Sequence, residues 1–227
     1  MARGKQSKGK CAFCEREMTK GGLATHLSMC SERHGAINAI SHQAVGEQQL
    51  YHLQVQDAWQ RDYWLHLEMN GTATLGDLDD YLRAIWLECC EHLSQFSVGG
   101  WRGKEIPKSR RAERVFELGM ELTHIYDFGT SSETLIKIVG VRKGKPLSGH
   151  PIVLMARNNP PEARCTECGQ LASWLCLECL HELGELGTLC DQHIQLHPHT
   201  DYDEPISLVN SPRLGMCGYT GPAEPPY

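Results

Sequence analysis

Apolar and polar residues alternate over two short stretches, YHLQVQ at 51–56 and YWLHLEM at 63–69. A period of two sends every second side chain to one side, so each stretch predicts a strand with one buried face. The period then changes. In TLGDLDDYLRAIWLECCEHLSQF, 74–96, the residues Leu78, Leu82, Ile85, Cys89 and Leu93 recur at spacings of three or four, which predicts an amphipathic helix. Thr74 with Asp77 supplies an N-cap pair, a weaker form of the box built from Ser or Thr with Glu. Alternation returns in MELTHIYDF, 120–128, and ETLIKIVGV, 133–141, read as a strand pair, and PIVLMA, 151–156, reads as a last strand. Strands, then a helix, then strands give an α+β order rather than a βαβ repeat.

This pattern defines a middle domain over about 50–157. A polar segment, GAINAISHQAVGEQQ, precedes it, and RNNPPEA ends it, because paired prolines remove donors and favour extended backbone. On either side lie regions with little periodicity and many Cys and His residues: a module over 1–35, a Cys/His segment over 164–200, and an extended Gly/Pro-containing tail over 201–227. The expected architecture is a central mixed α+β domain flanked by two small zinc-stabilised modules.

The chain has 227 residues, 11 cysteines and a formal net charge of −6. No apolar run approaches the ~20 residues of a membrane-spanning helix. The basic N-terminus MARGKQSKGK lacks the apolar stretch of a secretory signal, so a cytoplasmic protein is expected, in which grouped cysteines bind metal rather than pair. Charge is uneven. Arg3, Lys5, Lys8, Lys10, Arg16, Lys20 and Arg33 face only Glu15, Glu17 and Glu32 near the start, whereas Arg164 is the single basic residue among nine acids in 162–205. The two ends are therefore expected to meet different partners.

CAFCEREMTKGGLATHLSMC places Cys11 and Cys14 at a tight turn and His26 and Cys30 one helical turn apart. Four such ligands with no open position suit a structural tetrahedral zinc, with Met18 and Leu23 as a small apolar core. A basic arm beside a finger points to nucleic acid. The finger helix has Lys20, Thr25 and Ser28 but no Arg for a guanine, so backbone contact is expected rather than base reading. The basic stretch WRGKEIPKSRRAER, 101–114, is a second candidate phosphate contact, and the expected nucleic-acid set is Arg3, Lys5, Lys8, Lys10, Lys20, Arg102, Lys104, Lys108, Arg110 and Arg111.

The C-terminal segment presents Cys165, Cys168, Cys176, Cys179, Cys190, His193, His197 and His199, enough for two tetrahedral sites whose pairing the chemistry leaves open. Four thiols with neighbouring histidines favour metal over a thioredoxin-like dithiol. The order of pairs resembles the B-box zinc finger. That resemblance implies one ion on Cys165, Cys168, Cys190 and His193, and another on Cys176, Cys179, His197 and His199. The interval from Cys179 to Cys190 is longer than in that family and holds His181, an alternative to His197 or His199. The whole chain is thus expected to carry about three zinc ions. The acidic surroundings of this module point to a protein partner.

Within the middle domain, Thr74-Leu75, His92-Leu93-x-x-Phe96 and Tyr126-Asp127-Phe128-Gly129 occur in order. Over roughly 50–145 the chain resembles the plasmid pRiA4b open-reading-frame-three-like family, some of whose members are insertion-element passenger proteins. The family's Pro-x-x-Trp-Arg-Arg is reduced here to DYWLHLEM. The resemblance implies an α+β fold and a bacterial mobile-element or plasmid setting, without a settled enzymatic activity. No phosphate-cradling loop, nucleophile elbow or His-Glu-x-x-His sequence is present, so no catalytic residues, small-molecule substrate or membrane partner are expected. Asp127 reads as a turn or hydrogen-bonding residue. Of the neighbouring Cys89 and Cys90, one reads as helical core, and a metal shared by Cys89 and His92 is the lesser alternative.

Overall fold

The computed structural model describes residues 7–41, 46–184, 187–199 and 204–225. Nine strands form one antiparallel sheet: β1 Lys8–Cys11, β2 Glu17–Thr19, β3 Gln48–Asp57, β4 Trp64–Asn70, β5 Ser94–Val98, β6 Lys104–Ile106, β7 Glu121–Tyr126, β8 Ser132–Gly144 and β9 Ile152–Asn158. Their spatial order is β2-β1-β9-β4-β3-β8-β7-β5-β6. Among the described residues three α-helices accompany them: α1 Lys20–Met29, α2 Ser31–Ser41 and α3 Leu75–Leu82. The α+β class holds in this coarse sense, with the sheet as the dominant element. A second, three-stranded sheet, ordered β11-β10-β12, joins β10 Trp174–Cys176, β11 Gly187–Leu189 and β12 Ile206–Ser207. Among the described residues no helix is long and apolar enough to cross a membrane.

The alternating stretches form β3, β4, β7, β8 and β9. On one face of the sheet, Leu53, Val55, Leu65, Leu67, Ile136 and Ile138 pack under α3, which contributes Leu75, Leu78 and Leu82. The helix starts at a capping box: Thr74 Oγ1 accepts from the Asp77 N–H at 3.2 Å, and Asp77 Oδ2 accepts from the Thr74 N–H at 2.6 Å.

Two expectations fail here. First, β4 is buried on both faces, since His66 is 0% and Glu68 3% exposed. Its polar side is covered by the N-terminal finger and joined into a local network, in which His66 Nε2 and Arg33 Nε find no hydrogen-bond partner. Arg33 Nη2 donates to Glu68 Oε2 at 2.8 Å, Arg142 Nε donates to the same oxygen at 2.9 Å, and His52 and His66 share a hydrogen bond of 2.9 Å. Alternation reports which side is apolar, not which side is wet. Second, the helix expected over 74–96 ends much earlier. After Leu82 the backbone loosens into a π-turn, Arg83–Leu87, and Glu88 is extended at ψ 113°. Glu91 then adopts a left-handed conformation at φ 57°, Leu93 is left 74% exposed, and Phe96 belongs to β5.

The finger is continuous with the large sheet. Strand β1 pairs with β9, Gly9 opposite Asn158 and Cys11 opposite Ala156. Glycine is required at position 9, because a Cβ there would lie 2.1 Å from the Arg157 carbonyl oxygen and 2.4 Å from the Trp64 ring. Leu23 and Leu27 of α1 bury themselves against Trp64, Met155 and Ala156. The expected Met18–Leu23 core is therefore completed by the sheet.

The tail is not an extended appendage. Ser211, Arg213, Tyr219 and Ala223 are buried, Ser211 Oγ donates to the Trp86 carbonyl at 2.8 Å, and Gln60 Nε2 donates to the Pro212 carbonyl at 3.0 Å. The chain leaves the C-terminal module and returns to the central domain.

Candidate metal centres

Among the described residues, four groups of Cys and His bring their donor atoms within 4.8 Å of one another. In the first, β1 ends at Cys11, the turn after it holds Cys14, and α1 presents His26 and is followed by Cys30. Cys11 and Cys30 Sγ are 3.9 Å apart, and Cys14 Sγ is 3.2 Å from His26 Nε2. Glu15, after the second cysteine, is left-handed at φ 56°, which folds the Cys-x-x-Cys turn back on itself. Burial pushes the Cys11 thiol up to about 11.

The C-terminal module braces two groups across each other, with the pairing that the B-box resemblance implies. Cys165, Cys168, Cys190 and His193 form one, and Cys176, Cys179, His197 and His199 the other. In the former, His193 Nδ1 is 3.5 Å from Cys165 Sγ and 3.3 Å from Cys190 Sγ, and the sulfurs of Cys168 and Cys190 are 3.9 Å apart. In the latter, Cys179 Sγ lies 3.3 Å from His197 Nε2 and 3.1 Å from His199 Nδ1. His181 lies in a second π-turn, Cys179–Leu183, and is exposed, outside the group. Strand β11 crosses this group at Gly187, where a Cβ would lie 2.4 Å from that of Cys179.

A zinc tetrahedron with Zn–S of ~2.3 Å and Zn–N of ~2.0–2.1 Å separates its donors by roughly 3.3–3.8 Å. The sulfur and nitrogen spacings match that frame and are far from the ~2.05 Å of a disulfide. In the group of Cys165 the backbone favours a thiolate at that position. Burial opposes ionisation of Cys165, but the backbone N–H groups of Cys190, Cys168 and Glu167 outweigh it and bring the thiol down to about 6. His193 is raised by its hydrogen bonds to the Cys190 and Cys165 sulfurs. The donor chemistry therefore fits a divalent, thiophilic ion such as zinc in all three places.

A fourth group consists of Cys89, Cys90, His92 and Cys217. It contains the Cys89–His92 pair that the sequence offers as the lesser alternative, but reading Cys89 and Cys90 as residues of one continuous helix leaves Cys90 out, because neighbours on a helix diverge. They lie instead on the turn that follows the π-turn. Cys217 is 125 positions beyond His92 in the chain, and its sulfur is 3.2 Å from His92 Nε2. No local spacing reveals such a partner; the signal was a set of cysteines left over from the paired motifs.

The basic residues are dispersed. Arg3 and Lys5 lie outside the described residues. Lys8 pairs with Glu17 at 3.3 Å, and Lys20 donates to the side-chain oxygen of Gln56 and is half-buried. Lys108 is turned inward, donating to Asp79 Oδ2 at 2.9 Å and Ser94 Oγ at 2.8 Å. Asp79 also faces His124 at 2.7 Å and is 3% exposed. Burial opposes its ionisation, yet the donors from His124, Lys108 and Ser94 hold it well below the usual carboxylate range. Lys108 therefore satisfies a buried acid. Lys10, Arg102, Lys104, Arg110 and Arg111 are exposed. The finger and the 101–114 stretch sit at opposite ends of the strand order, β2-β1 at one and β6 at the other. Asp127 acts as a hydrogen-bonding turn residue, left-handed at φ 64° and accepting from Gly129 N–H at 2.9 Å and Arg213 at 2.8 Å.

No family model matches the chain, and no curated relative matches it. A solved structure described as a protein of unknown function, MM3350 from Methanosarcina mazei Go1, is similar at 18% identity and a TM-score of 0.42, covering 48% of this chain and 69% of that one.

Proposed function

We propose that the chain is a non-enzymatic zinc adaptor whose C-terminal module docks a protein partner. The observation that carries this reading is a surface. The module combines an acidic composition with exposed Leu171, Leu183 and Leu196, at 60%, 59% and 79%. Apolar side chains held outward among acids are what a protein interface uses for its anchors and its rim. The metal groups fit this role, because four protein donors close a zinc tetrahedron and leave no position for a reacting water. The resemblance of the middle domain adds a mobile-element or plasmid setting to the proposal. Cross-linking after co-purification from the native host tests it. Cross-links to the partner should map to 164–199 and disappear in Leu171→Glu/Leu196→Glu; cross-links concentrated elsewhere would reject the reading.

A second contact, to nucleic acid, is favoured by one specific feature. Trp101 and Phe128 are exposed and meet edge to face at 5.8 Å between ring centroids, and Trp101 adjoins Arg102 within the stretch that carries Lys104, Arg110 and Arg111. Aromatic faces beside cations bind single strands by stacking and phosphate contact. Binding of a single-stranded oligonucleotide should weaken steeply with salt and fall in Trp101→Ala. Absence of binding at low salt would leave protein docking as the whole function.

A further inference from the structure

We infer that Cys89, Cys90, His92 and Cys217 form a fourth zinc site, one that fastens the C-terminal tail to the central domain. This goes beyond the adaptor reading and does not depend on it.

The donor set is three thiols and one imidazole, all mutually within 4.8 Å. That is the composition of a closed Cys3His zinc site, the same as at Cys11, Cys14, His26 and Cys30. The backbone around it is bent where ordinary residues resist bending. Among the described residues four non-glycine residues have positive φ: Glu15, Glu91, Asp127 and Cys217. Glu15 closes the turn of the first group. The other three surround the fourth: Glu91 follows Cys90, Cys217 is itself a donor at φ 49°, and Asp127 lies 3.5 Å from His92 Nε2. Such conformations persist where the surroundings over-determine them. A bond from Cys217 to a metal supplies that determination, and Gly215 and Gly218, at φ 79° and 72°, provide the compliant backbone on either side.

The surroundings also place a buried cation against the thiols. A divalent ion with three thiolates carries a net charge of −1. Arg213, fully buried, donates from Nη2 to Cys89 Sγ at 3.3 Å and to Asp127 Oδ2 at 2.8 Å. Its Nη1 donates to the Thr130 carbonyl at 2.8 Å and to Ser132 Oγ at 2.9 Å. An N–H directed at a metal-bound thiolate is a common outer-shell arrangement. Cys217 and Arg213 come from the tail, and the other three donors come from the turn between α3 and β5. The site thus joins the segment after the C-terminal module to the domain before it.

Native mass spectrometry of the full chain, together with hydrogen exchange over 211–219, tests the site. Cys217→Ala and His92→Ala should each bind one zinc ion fewer than the native chain and lose protection over 211–219. His92→Cys, which keeps four donors, should retain the native count, distinguishing a lost ligand from general misfolding. Equal zinc counts in the native chain and Cys217→Ala would overturn the proposal. So would a disulfide joining Cys217 to Cys89 or Cys90 in the zinc-loaded chain.

Discussion

The central domain and the C-terminal module reach a fixed structure by different means. Under α3 the core is an apolar layer that includes Leu53, Leu65, Leu78, Ile85, Trp86 and Ile136, all at 0% exposure, and the single thiol there, Cys89, packs against its margin. In the cluster around the module's metal groups four of the five buried residues are cysteines, Cys165, Cys176, Cys179 and Cys190, beside Leu189, while Leu175 and Leu177 are buried outside that cluster. Burial at ~25 cal/mol per Å² sustains the first kind of core. The second has too little area for that, and its thiols fill the core only by being gathered on metal. The contrast shows that gathered thiols fill in the module the place that aliphatic side chains fill under α3.

The sharpest way to break this comparison is to remove one ligand. Zinc binding is worth ~10–16 kcal/mol in finger peptides, so Cys176→Ser should unfold the module around it. Hydrogen exchange should show protection lost across 164–199 while β3, β4 and β8 remain protected. Joint loss of both regions would mean that they are one cooperative unit. The complementary change lies in the central layer. Leu78→Ala should cost about 2–5 kcal/mol, read from a denaturant midpoint, with the zinc count unchanged. A lower zinc count in Leu78→Ala would show that the metal groups draw their stability from the sheet.

These two regions were not equally legible in the sequence. Strands β3, β4, β7, β8 and β9 followed from alternation, since their side chains answer to a period of two. The first three metal groups followed from short spacings and from the order of pairs. Everything that depended on distant chain meeting distant chain was hidden. The finger looked separate because β1 is short, and nothing in KGKC announces that it pairs with β9. Lys108 looked like a surface cation until Asp79 was found beneath it. The helix overran to 96 because Cys89 and Leu93 kept its period, although the backbone had already turned to present Cys89, Cys90 and His92 to Cys217. A periodic pattern records which positions are apolar, not the place where a metal-binding turn interrupts them.

A smaller effect separates the regions by pH. Burial lowers His52 to about 3, with the charge of His66 adding to it, and burial lowers His66 to about 4. Both are neutral in the folded chain well below the ordinary histidine value of 6.5. The unfolded chain takes up their protons as pH falls through that value. The stabilisation is therefore complete above it and is lost toward pH 4, at a limiting slope of about 1.4 kcal/mol per pH unit for each histidine. Urea melts between pH 7 and pH 5 should show this slope for the sheet, reduced in His52→Gln relative to the native chain. An identical slope in the variant would place the acid sensitivity in the metal ligands instead.

The smallest effect tests how local the central domain's stability is. Thr74 and Asp77 satisfy each other's backbone N–H groups at the start of α3, at 2.6 and 3.2 Å. Removing the hydroxyl in Thr74→Ala leaves the Asp77 N–H without its acceptor and should cost about 1 kcal/mol. Thr74→Ser keeps the acceptor and should recover most of it. Because α3 covers only the face of the sheet opposite the finger, the loss should appear in the sheet's melting midpoint and leave 164–199 unchanged in hydrogen exchange. A change in the module's protection would instead mean that α3 transmits its state to the tail through the turn at Cys89. The distinction between a metal-held and a burial-held region would then end at that turn.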